Sequence, residues 1–390
     1  MIKGFAHYVN KWKINTNSEI IPGLTAISSA LEELGNPHLL GKFVHIAGTN
    51  GKGSTATLLA GVLREHGLSV GNFYSPAIID VHDQIQVDGV PISEKEMDAV
   101  MEQLASIKTP LTEFELLTAA AFLSFHKNSP DITIIEAGMG GRYDSTNVIT
   151  PIVSIIPSIA LDHTNFLGET IEDIAWHKAG IIKKWQPVVI GNLPDKAKRI
   201  VVETANLLHS EVIEPKQPVQ AELKLKGKHQ RHNAAVALEA AKEILQFRYD
   251  DAKAEAGLAK AVISNRFEEI SPNVIFDGAH NTESIQALVE TIKETYPNEK
   301  IHIVLGMLKD KDYITVLRQL EKVSEHFTFI DFENERALPA QTLFEESKSK
   351  IKTIRNMYDI LPEREEKEVT IVTGSLYLLS GLREREFRIF

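Results

Sequence analysis

Short apolar runs that end at glycine or proline, separated by longer stretches of helical periodicity, most narrow the folds open to this chain. "KFVHIAG" (42–48), "ITIIEAG" (132–138) and "PIVSIIP" (151–157) are rich in β-branched residues and short enough to be buried strands. Between them lie helical patterns such as "EFELLTAAAFLSFH" (113–126) and the Leu58, Leu59, Val62, Leu63 series, with Gly67 as its stop. Strands interleaved with helices predict an α/β fold with a mostly parallel central sheet. "RHNAAVALEAAKEIL" (231–245) reads as a further helix, while the polar stretch from Leu193 to Lys228 is ambiguous. A second strand–helix series opens near Arg266 with "NVIFDGAHN", "KIHIVLGM", "HFTFIDF" and "EVTIVTGS". At 390 residues the chain exceeds one ordinary core. Two domains are expected, a large one over 1–264 and a smaller Rossmann-like α/β one over 265–390, with neither an internal repeat nor a Gly/Ser linker.

The loop after the first strand, "HIAGTNGKGST" (45–55), misses the usual P-loop spacing of Gly, four residues, then Gly-Lys-Ser/Thr. Ile46 stands where the first glycine belongs, Gly53 where the hydroxyl belongs, and Ser54 comes one residue late. The physics still suits an anion. A strand, a loop with three glycines and a helix from about Gly53 point backbone N–H groups and the positive end of a helix dipole at one place. Lys52 adds a cation, and Ser54 and Thr55 add hydroxyls. A plain strand–helix turn rarely needs that set. The net charge of −11 argues against broad affinity for nucleic acid, so phosphate must be held by such local devices. The absence of cysteine rules out disulfides and thiolate metal sites and fits a reducing compartment. "MIKGFAHYVNKW" lacks the apolar core of a signal peptide, and no apolar run is long enough to span a membrane, so a cytoplasmic address is expected.

Three further stretches concentrate chemistry, each with a plainer account. In "IIEAGMGGRYDSTNV" (134–148), Glu136 ends a strand where α/β folds gather ligands, and it could hold a nucleotide's magnesium. It could also merely precede a glycine-rich turn; the phosphate loop tips the balance to metal. In "ALDHTNFLG" (160–168), Asp162 and His163 stand just beyond another strand, but a lone histidine is more often structural. In "WHKAGIIKK" (176–184), Lys178 falls in the last turn of a helix with Gly180 as cap, a position its charge favours without any catalysis.

Taken in order, "AGTNGKGST", "YSP" (74–76), "TEFELLTAAAF" (112–122), "EAGMGGRYDSTNV", "LDHTNFLG", "HKAGIIK", "GKHQRHNAA" (227–235), "NRFE" (265–268), "DGAHN" (277–281) and "TGSLYL" (373–378) resemble the folylpolyglutamate synthase/dihydrofolate synthase family, a branch of the Mur ligase superfamily. The resemblance implies a Mur-ligase-like fold whose large P-loop domain binds ATP, and a ligase that adds L-glutamate to folate or dihydropteroate. It implies that Thr49, Asn50, Gly51, Lys52, Gly53 and Ser54 hold the ATP phosphates. Asn233, Arg266, Asp277 and His280 would contact the nucleotide. Ser75, Glu136, His163 and Lys178 would ligate two Mg2+ ions, Lys178 as a carbamate, since an ammonium cannot coordinate Mg2+. Lys52, Lys178 and His163 would be the catalytic set. Thr112, Glu113, Phe114, Glu115, Tyr143, Asp144 and Ser145 align with substrate-contacting segments. Plainer accounts persist: Asn281 as an N-cap beside Asp277 and His280, Arg266 as an exposed ion-pair partner, Asn233 as a helix cap. "SPAIIDVHDQI" departs from the family's His-Leu and Glu-Arg-Ile after Ser-Pro, which leaves open which folate or pteroate is accepted. A ligase for a non-folate carboxylate, a phosphotransferase and a non-catalytic nucleotide scaffold are the rival readings. No exposed seam is evident, so a monomer is expected, with neither nucleic acid nor membrane as partner.

Overall fold

The computed structural model describes residues 4–17, 23–357 and 368–386. The chain divides into two compact units. One comprises the residues up to Lys224 together with Arg231–Val262; the other comprises Leu225–Gln230 and the residues from Ile263 on.

The first unit is built on β1 (Phe43–Ile46), β2 (Val70–Phe73), β3 (Ile85–Val87), β4 (Val90–Pro91), β5 (Ile132–Glu136), β6 (Val153–Ile156), β7 (Val188–Ile190) and β8 (Val212–Ile213). Their order in the sheet is β4-β3-β2-β5-β1-β6-β7-β8. From β2 to β8 every pairing is parallel, and the β3–β4 hairpin adds an antiparallel edge. The central strands are buried on both faces, as parallel strands covered by helices must be. One apolar cluster includes Phe5, Phe73, Phe122 and Ile135; another includes Ile156, Ala175, Ile190 and Val201. The ambiguous polar stretch contains the Asp195–Leu207 helix and β8.

The helices start and stop where local chemistry allows. The Glu113–Asn128 helix opens with a capping box in which Thr112 and Glu115 satisfy each other's backbone N–H. Ile171–Ala179 opens with a second box from Thr170 and Asp173. The Lys52–Glu65 helix lies against Asp251–Lys260 through a glycine pair. A Cβ at Gly61 would stand 2.7 Å from the Gly257 carbonyl oxygen, and one at Gly257 would stand 2.6 Å from that of Gly61. Only glycine lets these backbones come so close.

The second unit contains β9 (Glu268–Ser271), β10 (Val274–Phe276), β11 (Lys300–Leu305), β12 (His326–Asp331), β13 (Ile351–Asn356) and β14 (Glu368–Thr373), in the order β13-β12-β11-β14-β10-β9. All pairings are parallel except β9–β10. Alternation divides its core. Ile303, Leu305, Phe327, Phe329 and Ile371 pack on one face; Val304, Ile330 and Val372 pack on the other with Phe276.

Candidate active site

In the first unit the parallel strands β2, β5, β1 and β6 lie side by side, so the loops leaving their C-terminal ends share one edge. Ile46 pairs with Glu136 and Ile155, which aligns the ends of β1, β5 and β6. Glu136 is the last residue of β5, and the glycine loop, Ser75 and His163 follow the ends of β1, β2 and β6.

The loop is held from both sides. Thr49 N–H donates to the Ser158 carbonyl at 3.0 Å, and its hydroxyl both donates to the Ala160 carbonyl and accepts from Ala160 N–H. Ser158 Oγ accepts from Asn50 N–H and donates to Asn50 O, each at 2.9 Å. Gly51 caps the helix with a φ of 80°, and a Cβ there would lie 2.6 Å from Asn233 Oδ1. The chain therefore needs glycine here both to turn and to pass beneath the Asn233 amide. Asn233 lies inside the Lys228–Leu245 helix, so it is not that helix's cap. The Lys52–Glu65 helix begins on Lys52, one residue before the expected start, and Ser54 and Thr55 are buried in its first turn. Thr55 Oγ1 is a buried hydroxyl without a hydrogen-bond partner.

Lys52 Nζ stands 3.7 Å from Glu136 Oε1, with both side chains largely buried. Glu136 is 4% exposed and also adds to the burial that pushes the Tyr74 hydroxyl up to about 12. Lys178 is 4% exposed. Burial, and secondarily the charge of Lys52, lowers its amine to about 7, against the opposing pull of Asp162 and Asp144. The helix position read from the sequence was right, but the dipole account is incomplete: this lysine points into a buried charged cluster, not to solvent. Gly180 does cap that helix, but in right-handed geometry (φ −63°), so no left-handed turn requires it. His163 has a φ of 51°, and its Nε2 stands 3.9 Å from Asp162 Oδ2. Among the described residues, Glu136 and His163 are not joined by a third histidine or carboxylate into a set within 4.8 Å of one another. A metal held here would need further oxygens from a hydroxyl, a phosphate, water or a modified lysine.

The two segments aligned with substrate contact meet each other. Thr118 Oγ1 and Ser145 Oγ are 2.8 Å apart, and Phe114 stacks on Phe73 at 6.0 Å. Thr112 and Glu115 spend their polar atoms on the capping box; Glu113 lies in the first turn of the same helix. Asp144 is buried, and its carboxylate accepts from Met139 N–H, Thr146 N–H and Thr146 Oγ1. Those oxygens pin the 138–148 loop. Tyr143 is half exposed beside Trp176 and His177, and the Arg142 guanidinium lies 4.0 Å from the Trp176 ring centre.

In the second unit, Asp277 follows β10 and ties two turns together. Its Oδ2 accepts from Phe267 N–H at 2.8 Å and its Oδ1 from Ala279 N–H at 2.9 Å. Burial raises its pKa against the pull of the Arg266 guanidinium. Arg266 is thus Asp277's charge partner. His280 Nδ1 contacts Gly278 O at 2.8 Å, and Asn281 caps the Thr282–Thr295 helix in a capping box with Ser284.

Residues 46–215 match the Mur ligase middle domain family, and residues 265–376 match the glutamate ligase domain of Mur ligases. The chain is 37% identical to the dihydrofolate synthase/folylpolyglutamate synthase of Bacillus subtilis, covering 93% of this chain and 95% of that one. It is 33% identical to the folylpolyglutamate synthase of Lacticaseibacillus casei, over 92% and 93% of the two chains. This chain belongs to the folylpolyglutamate synthase/dihydrofolate synthase family. Its fold agrees with a structure of Escherichia coli FolC in complex with DHPP and ADP, with a TM-score of 0.89, 26% identity and coverage of 99% and 98%. It also agrees with Mycobacterium tuberculosis folylpolyglutamate synthase complexed with ADP and AMPPCP, with a TM-score of 0.86, 28% identity and coverage of 94% and 95%.

For this member of the folylpolyglutamate synthase/dihydrofolate synthase family, residue-by-residue reading left out groups that the structure brings in. Ser158 fastens the glycine loop, yet nothing in "PSIALDH" marks it. Asp162, which the sequence placed beyond a strand beside His163 but to which it gave no role, puts its charge near Lys178. Trp176 and Arg142 form the exposed aromatic–cation pair, and only the fold brings them together.

Proposed function

We propose that this chain is an ATP-dependent ligase that joins L-glutamate to the carboxylate of a folate, with dihydropteroate as a second acceptor, releasing ADP and phosphate. One observation carries the reading: at a single strand edge, a glycine loop capping a helix N-terminus stands beside Lys52, the buried Glu136 carboxylate and the buried Lys178. We assign ATP binding to residues 1–264 and a glutamate-ligase role to residues 265–390, in line with the two matched families.

An acceptor carboxylate oxygen attacks the γ-phosphorus of ATP while the bond to the ADP oxygen breaks. The glutamate amine then attacks the acyl carbon, the bond to phosphate breaks, and the amine gives up its proton. Thr49 to Ser54 hold the phosphates through loop N–H groups and the helix N-terminus, and Lys52 offsets charge as two anions meet. Asn233 closes over the loop. Two Mg2+ ions, when bound by Ser75, Glu136, His163 and Lys178, supply further charge stabilisation to the phosphoryl group. Carbamylation suits Lys178: a buried ammonium beside Lys52 is unfavourable, whereas a carbamate offers oxygen to a cation. Arg266, Asp277 and His280 are assigned to the nucleotide. Phe114, Tyr143 and Ser145, with Thr112, Glu113, Glu115 and Asp144 as their support, are assigned to the acceptor. A monomer in the cytoplasm fits these substrates; among the described residues no helix is long and apolar enough to cross a membrane.

The test is a panel of dihydropteroate, tetrahydrofolate and its one-carbon forms, each with ATP and glutamate. ADP release should require both glutamate and an acceptor, and the product should gain one glutamyl residue by mass. Glutamate-independent ADP release would instead favour a phosphotransferase, and a product lacking the added mass would end the ligase reading.

A further inference from the structure

The second unit holds a group of chemistry-bearing side chains that the ligase reading does not use. His302 on β11 pairs directly in register with His326 on β12, and Glu368 on β14 pairs with Lys300, two residues before His302. Because side chains alternate along a strand, all three project from one face of the sheet. They stand at the starts of three neighbouring strands. Glu368 lies five residues before Thr373, the end of β14, which puts the group roughly 16 Å from the edge carrying the Asp277 loop. One ligand atom from each residue falls within 4.8 Å of the others, and among the described residues no other three histidines or carboxylates meet that condition.

The hydrogen bonding of the group is incomplete. His302 is 1% exposed; its Nε2 contacts Thr328 Oγ1 at 2.8 Å, and its Nδ1 has no partner. His326 lies over it, ring centres 4.0 Å apart and 12° from parallel, with Nδ1 2.9 Å from Glu368 Oε1. A purely structural stack accounts for the packing but leaves a buried imidazole nitrogen unsatisfied, which proteins generally avoid.

We infer that His302, His326 and Glu368 form a Zn2+ site that braces β12, β11 and β14 at the edge of the second unit away from the Asp277 loop. Two imidazoles and one carboxylate suit zinc, with water completing a tetrahedron; magnesium prefers an all-oxygen set. Parallel rings cannot both aim a lone pair at one ion, so loading requires the half-buried His326 to tilt off the stack. The charge of Arg355, on β13, reaches His302 and opposes a cation; Glu368 supplies the offsetting negative charge.

The experiment uses the full-length protein stripped with a chelator, then titrated with Zn2+ by calorimetry in excess Mg2+, with thermal unfolding followed in parallel. The expected result is a zinc site that stabilises the fold and weakens at least about tenfold in His326→Ala and in the isosteric Glu368→Gln. It should persist in His163→Ala, which isolates it from the strand edge of the first unit. Glu368→Gln preserves shape at a strand start, so it decides the matter should His326→Ala misfold. Ligase turnover should be unchanged in Glu368→Gln. Absence of Zn2+ binding by the stripped parent, unaltered affinity in both variants, or loss of binding in His163→Ala would each overturn the site.

Discussion

Lys52 and Lys178 illustrate how far a residue's type can mislead about its state. Lys52 stands between two glycines and faces a buried carboxylate. Lys52→Ala should lower ATP-dependent ligation by at least about 100-fold, the scale expected when one charge-stabilising donor is lost. Circular dichroism should stay that of the parent; near-normal turnover would remove the lysine from the mechanism. Lys178→Ala should be inactive and partly rescued by formate or acetate, because a small carboxylate can replace a carbamate but not an ammonium. A bare amine in a high-resolution map of fully active protein would refute carbamylation. His45 gives the pH prediction. It is wholly buried on β1, with Nε2 2.9 Å from Thr146 Oγ1, and burial plus the charge of Lys183 lowers its pKa to about 3. Below about pH 6.5 the unfolded imidazole takes up a proton that the folded one refuses, so stability is lost as pH falls from there towards 3. The slope approaches about 1.4 kcal/mol per pH unit, and urea unfolding at several pH values should show it reduced by that amount in His45→Gln. Equal slopes in parent and variant would contradict this.

At the scale of elements, periodicity located the β1, β5 and β6 strands, and Asn281 was legible as an N-cap, whereas Asn233, offered as a cap, lies inside its helix and the capping boxes at Thr112 and Thr170 went unread. Periodicity passed over β2, whose "VGNF" carries glycine and asparagine, and β13, whose exposed "IKTIRN" has no apolar face. Both are strands because neighbours pair with them. The contact of the Lys52–Glu65 helix with Asp251–Lys260 was equally invisible, since neither Gly61 nor Gly257 marks a turn. Gly257→Ala would place a Cβ 2.6 Å from the Gly61 carbonyl oxygen and from Val62 Cα, both backbone atoms that cannot swing aside. The expected cost is about 1–3 kcal/mol in urea unfolding. Because the displaced helix begins at the glycine loop proposed to hold ATP, the KM for ATP should rise as well. Unchanged stability would show that the helices separate freely.

For the whole molecule, the family, the α/β class and the ATP-driven ligation were legible because ten short motifs lie in one order along nearly the full chain. The acceptor was not, since "SPAIIDVHDQI" departs from the family's pattern in a loop that the resemblance alone assigns to the pterin-bearing substrate. The sequence by itself determined local matters: several of the buried strands, the longer helices between them, and the glycine loop that turns into the first of those after β1. These follow from periodicity, capping and glycine, all of which act between near neighbours. Tertiary structure alone decided that Lys178 stands near Lys52, that Ser158 fastens the glycine loop, and that His302 stacks on His326. Those meetings depend on strand order and register, which arise from burying both faces of a sheet at once, and no stretch of chain encodes that order on its own.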